Sequence, residues 1–187
     1  EDKDRECLLL AAEALLNAGR ADAAWAVCDA LRSTPSGLQA RVPPLAARVA
    51  GALKDEARLR ELYAEVVRMP FPGGAQTREW AAAFEAAGHA DWAGELYDLA
   101  ETHMVKTSKP NAELTKAHIE FLTAHEHFEA AEQLLMRHNG SMTADAPRLI
   151  VDLYRAWHRL AEIDQELPKF FLTEGVTHEV KWLAGRK

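Results

Sequence analysis

One anchor returns through this chain at nearly constant intervals. Ala24, Leu59, Ala93 and Ala131 are each followed, three and four positions later, by a pair of apolar residues. The pairs are Val27–Cys28, Leu62–Tyr63, Leu96–Tyr97 and Leu134–Leu135. On a helix this spacing places all three residues on one face. The anchors start 35, 34 and 38 residues apart. Self-similarity at this period is the mark of a helical-hairpin repeat, in which each unit buries its core only against its neighbours.

The punctuation keeps the same interval. Gly19 and Gly88 each stand five residues before an anchor, where glycine closes a helix, and Lys54 and Glu126 hold the equivalent positions. Pro35, Pro70 with Pro72, Pro110 and Pro147 fall between units, where proline starts a helix but does not continue one. The pattern predicts helices over 5–18 and 21–32, 40–52 and 55–68, 75–87 and 90–104, 111–124 and 128–138, and 144–158 and 161–172. No segment alternates with the period of a half-buried strand.

The expected fold is all-α: a single domain over 1–187, a right-handed α-solenoid of about five helix-turn-helix repeats. The repeats lie near 5–35, 40–70, 75–106, 111–140 and 144–172. In the last unit Pro168 falls inside the second helix and the anchor frame is missing around Ala161 to Leu167. The tail holds Phe170, Phe171, Val176, Val180, Trp182 and Leu183. Residues 161–184 therefore read as a C-terminal cap, with a docking patch as the alternative for those aromatics.

Composition bounds the class of function. The 187 residues are 48% hydrophobic, 27% charged and only 7% aromatic, as in globular chains. No stretch approaches the ~20 apolar residues of a membrane span. Cys7 and Cys28 make no disulfide framework, read as small buried hydrophobes on helices, and suit an intracellular, reducing compartment. The chain opens EDKDRE without an initiator Met, which reads as a processed or truncated product. Net charge is −7, with 5 Lys/Arg against 11 Asp/Glu in residues 71–140. Such a field does not draw in phosphate backbones, so nucleic-acid binding would need a local basic groove.

No pattern for catalysis stands out. Six of eight histidines fall in 71–140, and His118 and His125 are seven apart, close enough to share a helix face. Zinc sites use tighter spacing, and neither HExxH nor CxxC occurs. His125 and His127 fall at an expected corner and read as turn residues. Glu126, Glu129 and Glu132 describe a solvated face. PFPGG at 70–74 follows a helix, not the strand a phosphate loop requires. Trp25, Trp80, Trp92 and Trp157 lie on predicted helices beside alanines and read as inter-helix core, with base or peptide stacking as the alternative. The expectation is a non-enzyme with no cofactor, no metal and no small-molecule substrate.

The segment KPNAELTKAHIEFLTAHEHFEAAEQLLMRH resembles a pentatricopeptide repeat. It has Pro110–Asn111 at the opening, Ile119 nine positions after the proline, Leu122, the pair Glu129 and Ala131, and Leu134–Leu135. Residues 72–100 are similar, with Pro72, Gly88, Ala93 and Leu96–Tyr97. The related tetratricopeptide pattern fits less well, because its Trp, Leu-Gly and Tyr are mostly missing. The resemblance covers about residues 10–160.

It implies a single-stranded RNA binder of a mitochondrion or plastid, in which two residues per repeat read one base. Those positions hold Gly73 with Arg78 and Asn111 with Lys116. They differ from the family's usual pairing of a small polar residue with Asp, Asn or Ser. That leaves Arg78 and Lys116 as candidates for phosphate contact rather than base reading, with solvated helix-start charges as the bland reading.

Helical arrays bind long ligands. The acidic middle, the off-pattern code positions and the short array favour a scaffold or adaptor for protein partners, within a larger ribonucleoprotein assembly. The alternatives are the RNA binder and, more weakly, a tetratricopeptide-type peptide groove. An RNA binder would gather Arg41, Arg48, Arg78 and Lys116 on one face; a protein scaffold would scatter them and expose apolar side chains.

Overall fold

The structure is a computed structural model and describes residues 2–33, 41–69, 74–107, 111–138 and 144–185. Every element among them is helical, and no strand occurs. The chain divides into two compact units, Glu1–His103 and Met104–Lys187.

The first unit is built from α1 (Asp2–Asn17), α2 (Ala21–Arg32), α3 (Val42–Leu53), α4 (Glu56–Arg68), α5 (Gly74–Ala86) and most of α6 (Ala90–Thr107). The second begins within α6. It continues through α7 (Ala112–Ala124), α8 (Phe128–His138), α9 (Ala146–Ala156), α10 (Ile163–Glu166) and α11 (Glu174–Leu183). No described helix is long and apolar enough to cross a membrane.

The corners within the hairpins share one construction. Gly19, Lys54, Gly88, Glu126 and His158 all have positive φ, between 55° and 93°. Each amide donates back to the carbonyl three residues earlier, and the next amide donates to the carbonyl five residues earlier. At the first corner these bonds are Gly19 N to Leu16 O and Arg20 N to Leu15 O, both 2.9 Å; at the last they are His158 N to Arg155 O and Arg159 N to Tyr154 O. This left-handed closure satisfies carbonyls that the helix end would otherwise leave unpaired. Lys54, Glu126 and His158 adopt it without glycine's freedom, because the surrounding hairpin fixes the backbone.

The anchors close each hairpin. Ala24, Cys28, Leu62, Ala93, Leu96, Ala131 and Leu135 are all fully buried, and Leu59 is 3% exposed. Cys7, expected to be buried like Cys28, is instead exposed on α1. Counting five residues from the corner at His158 arrives at Ile163, also fully buried. The anchor missing from the last unit's sequence is thus an isoleucine. The helix expected over 161–172 does not form as one piece. Residues Leu160–Glu162 are a 3-10 turn, α10 is a single turn, and a second 3-10 turn runs Leu167–Phe170 with Pro168 near its start. Proline has no amide for an α-helical bond there and suits the first positions of a new turn.

The tail divides as well. Phe170 and Val180 are fully buried in the core around Tyr154 and Ile150, whereas Phe171 is 92% exposed and Trp182 71% exposed.

In the first unit α3 is the central element, touching α1, α2, α4 and α5. Pro43 and Pro44 occupy its first turn, where missing amides cost nothing. Ala46, Ala47 and Ala50 are fully buried. Small side chains let the neighbouring helices come close. At Gly51 the approach is close: a Cβ built there would lie 2.9 Å from Ala87 Cβ and 3.3 Å from its Cα.

Alanine is the better helix former by about 1 kcal/mol. We nevertheless expect Gly51→Ala to lower the unfolding free energy, by about 1–2 kcal/mol, because Ala87 cannot turn aside and backbone must shift. Adding Ala87→Gly in the same chain should recover part of that loss. Urea unfolding of the two single variants and the double variant measures it.

Candidate functional site

The first helix of each of the three N-terminal hairpins contributes to an open groove of about 530 Å³ in the first unit. Its lining comes from Leu9, Leu10 and Glu13 on α1, from Pro44, Leu45 and Arg48 on α3 with Arg41 just before it, and from Glu79, Ala82, Ala83 and Ala86 on α5. The residues fall in register when counted back from the corners at Gly19, Lys54 and Gly88. Nine positions before the corner stand Leu10, Leu45 and Glu79. Six before it stand Glu13, Arg48 and Ala82.

The floor is apolar: Leu9 is 6% exposed, Leu45 8% and Ala83 3%. Leu10, on the rim, is 64% exposed. Two ion pairs cross from α3 to α1. Arg41 Nη1 lies 3.0 Å from Glu6 Oε1, and Arg48 Nη1 lies 3.1 Å from Glu13 Oε1. All four side chains are roughly half exposed, a setting in which such pairs contribute about 0–1 kcal/mol. They neutralise the two arginines without fixing them in place.

The residues expected to face a ligand therefore separate. Arg41 and Arg48 share the groove, each beside a carboxylate. Arg78 occupies an exposed position on α5 and is not part of the lining. Gly73 lies outside the described residues.

In the second unit, Asn111 caps α7: its side-chain oxygen accepts from the amide of Leu114 at 3.1 Å. An N-cap of this kind is worth about 1 kcal/mol and gives Asn111 a structural task. Lys116 donates to Asp145 at 2.7 Å, and that hydrogen-bonded carboxylate holds its ammonium above the usual lysine value.

The histidines separate too. His118 is 4% exposed, and burial lowers its pKa to about 4. His125 caps α7 at the corner, its ring 4.5 Å from that of Phe121, and His127 is exposed. His89 hydrogen-bonds Glu56 at 3.1 Å and stacks on Trp92 at 3.8 Å. Among the described residues, no group of three or more His, Cys, Asp or Glu side chains is placed to hold a metal ion.

None of Trp25, Trp80, Trp92 and Trp157 lines the groove. Trp80 is 1% exposed in the core of the first unit. Trp25 lies under the guanidinium of Arg58, 4.4 Å from the ring centroid. Trp92 stacks on Tyr63 at 4.8 Å and meets Phe84 edge-on at 5.9 Å. Trp157 stacks on Phe128 at 5.6 Å and lies under Arg159 at 4.5 Å. Around them Arg32 ties α2 to α4 through Glu61 at 3.0 Å and Glu65 at 2.7 Å. Tyr63 donates to Glu95, and Tyr154 to Glu132. Burial, reinforced by those carboxylates, raises both phenols above their ordinary value. These contacts join α2 to α4, α4 to α6 and α8 to α9, and the rings serve packing.

Leu10, Glu13, Leu45, Glu79 and Ala82 carry no motif and were not singled out by the sequence. The signal that finds them is the corner register, once the corners are known.

No protein-family model, curated protein or solved structure significantly matches the chain.

Proposed function

We propose that this chain is a non-catalytic scaffold or adaptor, built of stacked helix-turn-helix repeats of the right-handed solenoid type, that holds a protein partner in the groove of α1, α3 and α5. The single observation that carries the reading is the character of that groove. It has an apolar floor, an exposed leucine on its rim, and two arginines each already beside a glutamate. Protein interfaces combine an apolar centre with a polar rim in this way. A track for an RNA backbone needs a run of uncompensated cations, whereas Arg41, Arg48 and Lys116 each pair with a carboxylate. The recurrence of one corner at intervals of 32 to 38 residues supports the repeat part of the reading.

A fluorescence-anisotropy titration tests the reading against its rival. A mixed-sequence single-stranded RNA of about 20 nucleotides, titrated at low and at physiological salt, should show no salt-sensitive binding. Micromolar binding that weakens steeply with salt would overturn the protein-scaffold reading in favour of RNA.

A further inference from the structure

The groove is neutral by formal count, but its charges are not equally engaged. Glu13 pairs with Arg48, and Arg41 with Glu6. Glu79, on the α5 wall, is exposed, and among the described residues no cation pairs with it. The same wall carries only Ala82, Ala83 and Ala86 beside it, so it is low and accepts bulk from outside. Leu10, 64% exposed, presents aliphatic surface that this unit does not cover, beside a floor in which Leu45 is buried. The volume of about 530 Å³ lies within the range that accommodates a few large side chains.

Three features narrow the occupant. The walls are helices, whose backbone groups are satisfied internally, so an extended peptide would find no ladder of donors and acceptors there. An amphipathic helix brings its own backbone bonds and needs only an apolar stripe to lay between helix ridges. The unengaged carboxylate calls for a cation, and a net charge of −7 steers cationic partners toward the chain.

We propose that the groove takes a short amphipathic helix from a basic partner protein. Its apolar residues lie over Leu10 and Leu45, and a Lys or Arg side chain pairs with Glu79. This rests on the protein-binding reading above and specifies the chemistry of the partner.

The test selects binders to the intact chain from a displayed library of random peptides about 16 residues long, enough for a helix of about 24 Å. The selected peptides are then titrated on wild type, on Ala82→Trp, which fills the groove from an exposed position, and on Glu79→Lys. Circular dichroism checks that both variants keep the fold. The expected result is enrichment of helical peptides carrying Lys or Arg beside an apolar stripe. Their binding is lost on Ala82→Trp and weakened about fivefold or more by Glu79→Lys. Peptides lost on Ala82→Trp but acidic, and indifferent to or improved by Glu79→Lys, would overturn the partner chemistry and leave the groove reading standing. No binders, or binders untouched by Ala82→Trp, would overturn both.

Discussion

Replacing Trp80 with alanine should destabilise the first unit by about 3–5 kcal/mol, the usual range for deleting a buried aromatic side chain. Trp80 is 1% exposed and belongs to a core that includes the small side chains of Ala46, Ala47, Ala50 and Ala83 beside leucines and valines. Side chains that small cannot collapse into the space an indole leaves, so the cavity persists, and its cost comes on top of the lost burial. The same substitution at Trp182, 71% exposed on α11, should move stability by only a few tenths of a kcal/mol. Denaturant unfolding of the two variants side by side measures the contrast. Equal effects would mean that Trp80 is not the core residue described here.

The second large effect is a response to acid centred on His118. Burial lowers its pKa from 6.5 to about 4, so the folded protein holds the neutral imidazole. In the unfolded chain the same ring takes a proton near its ordinary value. Between those two values the unfolded state binds more protons, and stability falls as pH falls. The contribution is therefore complete above about pH 6.5 and is lost progressively toward pH 4. A shift of this size corresponds to about 3 kcal/mol.

His118→Leu should flatten that part of the pH profile. Chemical denaturation of wild type and variant at pH 7.0, 5.5 and 4.5, followed by signals from the second unit, gives the difference directly. Carboxylates titrate in the same window, so the comparison between the two proteins is the informative quantity. A variant whose stability falls with acid as steeply as wild type would show that His118 is not the responsible group.

Much of the local architecture was legible in the residues because it repeats. The i, i+3, i+4 anchor spacing and the corner five residues earlier are imposed by helix geometry in every unit, so weak signals added up. Lys54 and Glu126 could be placed at corners by register alone, although neither is a residue that prefers positive φ. The last unit defeated the same logic for one reason. At the equivalent position stands Ile163, but Glu166 replaces the first apolar residue of the pair and Pro168 breaks the helix after it, so the frame is only partly present.

The groove was legible only in part. Arg41 and Arg48 stood out as cations, but nothing local announced Glu6 and Glu13 as their partners, because each pair spans 35 residues. Glu79 and Ala82 belong to the groove through their distance from Gly88, and their chemistry differs from that of their counterparts in the other hairpins. The two histidines seven apart misled for a related reason. His118 lies within α7 and turns inward, while His125 already belongs to the corner, so helical spacing between them does not mean a shared environment.

Site-specific photo-cross-linking tests the central claim, that the groove of α1, α3 and α5 holds a protein. A photoreactive phenylalanine replaces Leu10, exposed on the rim of the groove, or, as a control, Ala57, which is exposed on α4 and outside the lining. Both chains are irradiated in cells that express the protein. We expect one or a few discrete protein adducts from position 10, reduced by Glu79→Lys and absent from position 57. Adducts to RNA from position 10, or the same adducts from both positions, would contradict the protein-holding role of the groove.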